Sequence, residues 1–418
     1  MIDEVAKVLT GERNWCVVRG DCIEVMRQMP NNCIDTIVCD PPYGLAFMGK
    51  DWDTWKSLKE YQEWTTKWAT EVLRIAKPGA TLLCFGGTRT SHRLTCGLED
   101  AGWIIKDRIL WLYGQGFPKG YDIAKGIESK LKQGSANWTN WKKLDGKKYE
   151  RKTGYTKLQA EHKYRPDYSN AESKDIEITT PEAKRWQGYK SHALKPAYEL
   201  IVVAMKSNDG SYVNNALKWD VAGLNIDAAR IYSDEPITVH DAPSGTFAGG
   251  EQGRGSKKNY RTHYGRYPAN VILDEEVARM LDEQTNRWKS SPGGRTKFGE
   301  MFGNDGEVKS DAIYTDEGGA SRFFYTAKAT PSEKGRNNNH PTVKPLKLVE
   351  YLVKLTLMPN QNQIYFDPFA GSGTTGVVAL RMGRRFIGID LNPDYVEMAR
   401  RRIKRSAPLF AEMSDATD

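Results

Sequence analysis

The sequence predicts an α/β fold on a parallel sheet with crossover helices, and three observations carry that prediction. Short apolar runs recur, each ending in turn residues, which is the pattern of buried strands whose carboxyl ends open onto loops. Stretches of helical period lie between them. A glycine-rich turn, Gly371-Ser372-Gly373-Thr374-Thr375-Gly376, follows a late strand with only about forty residues to come, so N-terminal strands must complete its sheet and the chain is circularly ordered.

The elements follow in order. Cys16-Val17-Val18 before Gly20-Asp21, Ile34 to Cys39 before Asp40-Pro41-Pro42, and Thr81 to Phe85 before Gly86-Gly87 read as strands. Leu58 to Ala76 sets Tyr61, Trp64, Trp68, Val72 and Ile75 at helical spacing and stops before Pro78-Gly79. Strand, helix, strand at this rhythm implies parallel pairing with crossovers. Ile104 to Leu112 and Tyr198 to Met205 read as further strands, and Arg322 to Tyr325 as another. A helix follows from Leu346 to Leu357, then a strand from Gln363 to Phe366, the loop Asp367 to Gly373, and a helix to Gly383. A strand from Arg385 to Ile389 ends at Asp390, the last helix starts at Pro393, and the tail beyond Ala407 reads as disordered.

Two stretches interrupt this rhythm, Phe117 to about Lys190 and about Tyr232 to Gly319, and long insertions in a compact enzyme usually carry function. The expected organisation is a catalytic domain in three parts, 1–116, 191–230 and 320–418, with insertions at 117–190 and 231–319. The net charge of +8 is unevenly spread: Lys130 to Leu158 holds nine Lys or Arg against Asp145 and Glu150, a surplus of seven.

Composition excludes several classes. With 39% hydrophobic and 27% charged residues the chain is neither disordered nor fibrous. No window approaches the roughly 20 apolar residues of a membrane span, and the first residues lack a secretory pattern, so a soluble, cytoplasmic protein is expected. All six cysteines fall between Cys16 and Cys96, with no CxxC and no paired His spacing, which argues against zinc and disulfides; no metal is expected.

Gly371, Gly373 and Gly376 form GxGxxG between a strand and a helix, and Asp390 ends the next strand, where an acidic group reaches a ribose hydroxyl. Too little chain follows for the second half of a dinucleotide fold, and no Lys-Ser or Lys-Thr follows the glycines to grip a terminal phosphate. The turn suits an adenosine-containing ligand without a long phosphate chain. Asp40-Pro41-Pro42-Tyr43 ends a strand at the carboxyl edge, where such sheets bind ligands. Its carboxylate and its proline carbonyls are acceptors, two N–H donors are missing, and a ring is at hand. That set suits a planar group bearing an amine: Asp40 and the Pro41 carbonyl accept its protons and Tyr43 stacks on it.

Together these motifs resemble the beta-class DNA amino-methyltransferases, the N6-adenine/N4-cytosine group in which the catalytic motif precedes the cofactor loop. Asp40-Pro41-Pro42-Tyr43 matches the catalytic motif, and His340-Pro341-Thr342-Val343-Lys344-Pro345 the motif ahead of the cofactor helix. Asp367-Pro368-Phe369-Ala370-Gly371-Ser372-Gly373-Thr374-Thr375 matches the cofactor loop, Gly388-Ile389-Asp390 the ribose-binding strand end, and Gly20-Asp21-Cys22 the strand end beside the adenine. The segments Gly116 to Lys119 and Ala193 to Ala197 are similar to phage-type and orphan members, while Leu131 to Thr180 matches nothing in the group.

The resemblance implies a Rossmann-like S-adenosylmethionine-dependent methyltransferase sheet with inserted target-recognition regions. It implies S-adenosyl-L-methionine as cofactor, bound by Asp21, Cys22, His340, Thr342, Lys344, Asp367, Pro368, Phe369, Gly371, Ser372, Gly373, Thr374 and Asp390, with Asp40, Pro41, Pro42 and Tyr43 catalytic. The reaction implied is methylation of the N6 of an adenine flipped out of double-stranded DNA, as in restriction-modification systems. No cysteine follows a proline, so a covalent route to carbon-5 of cytosine is not indicated.

Trp138, Trp141, Tyr149 and Tyr155 interleave with Lys142, Lys143, Lys147, Lys148, Arg151 and Lys152, combining phosphate neutralisation with ring faces. Lys257, Lys258 and Arg261 form a second candidate DNA contact; for both, the plain alternative is a solvated surface. The partner expected is DNA, with a homodimer as an assembly to test and no membrane. Competing readings are an N4-cytosine enzyme, an inactive DNA-binding protein on the same fold, a dehydrogenase, and methylation of RNA or of a protein glutamine. An intact Asp40 and intact glycines oppose the inactive protein, and the missing half-fold opposes the dehydrogenase.

Overall fold

A computed structural model describes residues 2–45, 53–114, 116, 118, 120–134, 136, 176–240, 260–285, 288–289, 295–296, 308–309, 317–327 and 343–406. Helix α1 (Asp3–Thr10) leads into β1 (Trp15–Arg19), α2 (Cys22–Arg27) and β2 (Ile34–Cys39). Helix α3 (Leu58–Ile75) starts where the Ser57 side chain accepts from the Glu60 N–H and the Glu60 carboxylate returns to the Lys56 N–H, a reciprocal cap. Its buried face is Tyr61, Thr65, Trp68, Ala69, Val72 and Ile75, which takes in the predicted stripe except Trp64, which is half-buried. Next come β3 (Ala76–Gly86), α4 (Ser91–Asp100), β4 (Ile104–Leu112) and α5 (Ile123–Gln133). They are followed by α6 (Pro181–Lys184), β5 (Tyr198–Met205), α7 (Tyr212–Trp219), β6 (Ile231–His240), β7 (Tyr260–Arg266), β8 (Val271–Asp274) and α8 (Glu275–Thr285). Four two-residue strands, β9 (Trp288–Lys289), β10 (Arg295–Thr296), β11 (Val308–Lys309) and β12 (Glu317–Gly318), precede β13 (Tyr325–Ala327). The chain closes with α9 (Leu346–Leu355), β14 (Ile364–Asp367), α10 (Thr374–Arg381), β15 (Arg385–Asp390) and α11 (Pro393–Ser406).

Among the described residues nine strands form one sheet in the order β1-β15-β14-β2-β3-β5-β4-β8-β13. The C-terminal pair β14 and β15 lies between β1 and β2, as a circularly ordered chain requires. Every residue of β2 is buried, because helices cover both faces. Ile37 and Cys39 join the core under α1 to α4, while Val38 faces the opposite core under α9, α10 and α11.

Three sequence expectations are corrected. The sheet is mixed: β5 is antiparallel to both β3 and β4, although its apolar run carries no mark of direction. The stretch 231–319 is not wholly an insertion, since β8 pairs in parallel with β4 and β13 in the main sheet. Arg322 to Tyr325 is not a strand; a 3-10 turn covers Ala320–Phe323, with Ser321 pinned by Asp282, and β13 begins only at Tyr325.

The chain divides into two compact units, Met1–Gln115 with Ala197–Asp418, and Gly116–Pro196. Within the second, Asp122 caps α5 through the Lys125 N–H and pairs with Lys190. Glu128, fully out of solvent, accepts from the Thr179 hydroxyl at 2.6 Å and from the Thr180 N–H and hydroxyl at 3.0 and 2.6 Å, and pairs with Lys132 at 2.6 Å. Its carboxyl is held below the usual range, because these bonds outweigh burial. Among the described residues no helix is long and apolar enough to cross a membrane, and no group of three His, Cys, Asp or Glu is placed to hold a metal.

Candidate active site

Strands β2, β14 and β15 end side by side, and a cavity of about 860 Å³ opens at their carboxyl edge, within the ~300–1,000 Å³ of small-ligand sites. Asp21, Asp40, Lys344, Asp367 and Asp390 all line it, although more than three hundred residues separate the first two from the last three.

The glycine turn is built for close approach. Gly371 and Gly373 are left-handed at φ 49° and 74°, where a side chain is strained. A Cβ on Gly376 would come within 2.6 Å of the Phe386 ring, so only glycine lets α10 settle on β15. Asp390 accepts from the Gly371 N–H at 2.8 Å and from the Asn392 N–H at 2.8 Å, tying the turn to the next strand end. Asp367 accepts from the Phe369 N–H at 3.0 Å and from the Thr375 hydroxyl at 3.0 Å. Burial pushes the Asp367 carboxyl up to about 7, and the nearby charges of Asp40 and Asp390 add to it. Ser372 and Thr374 accept from Arg402 at 2.9 and 2.7 Å. Asp21 caps α2 through the Ile23 and Glu24 N–H groups, and the Cys22 thiol is buried in the helix's first turn.

At the Asp-Pro-Pro-Tyr corner the Tyr43 hydroxyl donates to Asp40 Oδ1 at 2.8 Å. The Pro42 carbonyl is taken by the Tyr61 hydroxyl at 2.9 Å and the Tyr43 carbonyl by Thr90 at 2.5 Å. Among the described residues no donor meets the Pro41 carbonyl, which leaves it as the corner's open acceptor. Asp53, almost fully buried, accepts from the Gly44 and Leu45 N–H groups at 2.7 and 3.1 Å and fixes the exit of the corner. Burial, together with Asp40 and Glu199, holds the Tyr43 phenol protonated well above its ordinary range, so it stays a donor.

Lys344, which the resemblance assigned to the cofactor, turns its ammonium to the Asp-Pro-Pro-Tyr corner: Nζ lies 2.7 Å from Asp40 Oδ2, 3.1 Å from Glu199 Oε2 and 3.2 Å from the Tyr43 hydroxyl. Sequence reasoning missed Glu199, the second residue of an antiparallel strand, because an assumed parallel strand would start at the other edge of the sheet. It also missed an aromatic wall. Trp55 and Trp64 stand with ring centres 5.0 Å apart, Trp64 lies 5.7 Å from Phe369, and all three line the cavity. The helical stripe of α3 was the available signal for Trp64. His340 and Thr342 lie outside the described residues, as do Lys142, Lys143, Lys147, Lys148, Arg151, Lys152, Lys257 and Lys258; Arg261 stands in β7.

A family model described as DNA methylase, for N6/N4 methyltransferases, matches residues 34–401. The type II methyltransferase M.HindIII of Haemophilus influenzae is 20% identical over 93% of this chain and 94% of its own length. The type II methyltransferase M2.LlaDCHI of Lactococcus lactis subsp. cremoris is 37% identical over 22% of this chain, and that match spans only 34% of the relative. Among solved structures, the cytosine-N4-specific PvuII DNA methyltransferase superposes with a TM-score of 0.44 at 14% identity, covering 96% of this chain and 92% of that one.

Proposed function

The chain belongs to the N6/N4 DNA methylase family, and from that premise we propose that it methylates the exocyclic N6 of adenine in double-stranded DNA with S-adenosylmethionine as donor. The observation that carries the reading is that Asp40 and the open Pro41 carbonyl share one cavity with the glycine turn. The residues of the turn fit the cofactor. Left-handed Gly371 brings bare backbone to the cavity, Gly373 and Gly376 let α10 close against α11 and β15 behind it, and the Asp390 carboxylate at the next strand end suits a ribose. When bound, S-adenosylmethionine supplies an electrophilic sulfonium methyl.

The chain's own residues prepare the acceptor. An aryl amine donates its lone pair to the ring and is a weak nucleophile. Two acceptors, Asp40 and the Pro41 carbonyl, each taking one N–H, draw that pair back to the nitrogen. Asp40 is also the nearest carboxylate for the proton the nitrogen sheds. The base must leave the duplex to reach this depth, and the Tyr43 ring gives it a face to lie on. Adenine is favoured over cytosine because the first position of the motif is Asp40, where cytosine-N4 relatives of this motif order more often carry serine, and a carboxylate accepts without presenting a donor. Lys142, Lys143, Lys147, Lys148, Arg151 and Lys152, with Lys257, Lys258 and Arg261, are proposed to neutralise phosphates.

Nucleoside analysis of DNA methylated by the purified protein tests the reading. N6-methyladenine is expected, and N4-methylcytosine alone would overturn the choice of base. Asp40→Ala should abolish transfer while S-adenosylhomocysteine binding, measured by calorimetry, is retained; equal loss of binding would mean the corner is misassigned.

A further inference from the structure

Lys344 reaches Asp40 across 304 residues of chain, and the contact is too well enclosed to be a surface pairing: its side chain is only 10% exposed. Asp40 is gripped by two donors, Tyr43 on Oδ1 and Lys344 on Oδ2. Glu199 Oε2 lies 3.1 Å from that same ammonium and 3.4 Å from that same hydroxyl, so it is a second acceptor for both groups that hold Asp40. It occupies this place because β5 runs against its neighbours and brings its first residues to the edge where β2 ends. Burial alone would lower the proton affinity of Lys344, but the two carboxylates outweigh it and keep the ammonium charged. The ammonium also lies 4.8 Å from the centre of the Phe85 ring, a further attraction.

An ionised carboxylate has about four lone-pair positions. Two donors on Asp40 fix its plane and leave positions for a base amine. Resting on the reading that this corner receives an amine, we propose that Lys344 and Glu199 are positioning residues for Asp40: Lys344 orients the carboxylate and balances its charge, and Glu199 accepts from Lys344 and Tyr43 as Asp40 engages the amine. Lys344 is then no cofactor ligand. The other titratable groups facing this cluster are Cys39 on β2, Cys84 on β3, Tyr61 on α3, Tyr113 beyond β4 and Asp367 on β14. None of them is a cation, so among the described residues it is Lys344 that opposes the negative charge of this set.

The test is the pH profile of single-turnover methyl transfer to DNA for the unaltered protein, Lys344→Met, Lys344→Arg and Glu199→Gln, with calorimetric binding of S-adenosylhomocysteine for each. Losing the cation makes protonation of the carboxylate pair easier, so Lys344→Met should move the acid limb to higher pH by about one unit or more. It should also slow transfer by roughly 100-fold at neutral pH, the size of a lost charge-assisted contact. Losing an anion makes protonation harder, so Glu199→Gln should move the limb to lower pH. Lys344→Arg should restore the limb and part of the rate. Cofactor affinity should stay within about threefold throughout, which also shows that each variant is folded.

Limbs that do not move, or move in the same direction in the two charge variants, overturn the positioning role. Loss of S-adenosylhomocysteine binding in Lys344→Met with binding kept in Lys344→Arg makes Lys344 a cofactor ligand and overturns it too. Absence of transfer by the unaltered protein to any DNA removes the proposed function itself, and this inference with it.

Discussion

Replacing three glycines one at a time by alanine separates backbone strain from crowding in the glycine turn and the helix that follows it. Gly383 is left-handed at φ 67° with nothing within 4 Å of a would-be Cβ, so Gly383→Ala suffers the conformational cost alone, about 1–2 kcal/mol. Gly376 is helical, and its Cβ would sit 2.6 Å from two carbons of the fully buried Phe386 ring. Overpacking of about 1–3 kcal/mol is partly offset there by the ~1 kcal/mol that alanine gains over glycine in a helix. Gly373 combines both penalties: φ is 74°, and the new Cβ would lie 2.9 Å from Ala399 Cβ and 3.2 Å from its Cα on α11. Its cost should be about 2–5 kcal/mol, the largest of the three. Urea unfolding with an unchanged dependence on denaturant gives the ranking from midpoints. If Gly373→Ala and Gly383→Ala unfold at the same urea concentration, the close seating of α10 against α11 is wrong, and with it the shape given to the turn.

Three further outcomes are expected. Asp367 has its carboxyl raised to about 7 by burial, so the folded state holds its proton where the unfolded chain has lost it; its contribution therefore falls as pH rises from about 4 to 7. Asp367→Asn should flatten that part of the stability profile, and urea midpoints at pH 5 and 8 that differ as much in the variant as in the parent would refute it. Glu128 has its carboxyl lowered, so its contribution is present above the ordinary glutamate range and fades as pH falls through its folded value. Glu128→Gln should expose residues 176–196 to limited proteolysis at neutral pH, and an unchanged cleavage pattern would count against the lock on Thr179 and Thr180. Replacing Lys142, Lys143, Lys147 and Lys148 together by alanine should flatten the slope of log DNA affinity against log salt by up to about 0.9 per lost phosphate contact, whereas an unchanged slope would return the segment to a solvated face.

What the sequence made legible follows from how local each signal is. Ile104–Leu112 and Tyr198–Met205 were bounded correctly, although Lys106, Asp107, Arg108 and Glu199 lie inside them, because turn residues flank both: Gly102 and Gly114 the first, Pro196 and Ser207-Asn208 the second. The GxGxxG turn and Asp390 were found because glycine needs and a strand-end carboxylate are short-range facts. Direction is not local: nothing within Tyr198–Met205 says that it runs backwards, and so Glu199 was overlooked. Val271–Asp274 is too short to show a period, and it owes its place in the sheet to Leu110, Trp111 and Leu112 on β4, far away in the sequence. Lys344 was noticed as part of a motif, but its partner Asp40 is 304 residues distant, and no spacing rule predicts a meeting of that kind.

The interposition of β14 and β15 between β1 and β2 has a consequence for synthesis. The Ile364 N–H donates to Asp35 across 329 residues, so the middle of the sheet is sealed by a segment that leaves the ribosome more than three hundred residues after β2. At roughly 5–20 residues per second, β2 waits on the order of 20 to 70 s with an apolar edge unpaired, which is the situation that invites aggregation. Chaperone occupancy on arrested nascent chains should therefore persist on those ending before residue 360 and drop once β15 has emerged.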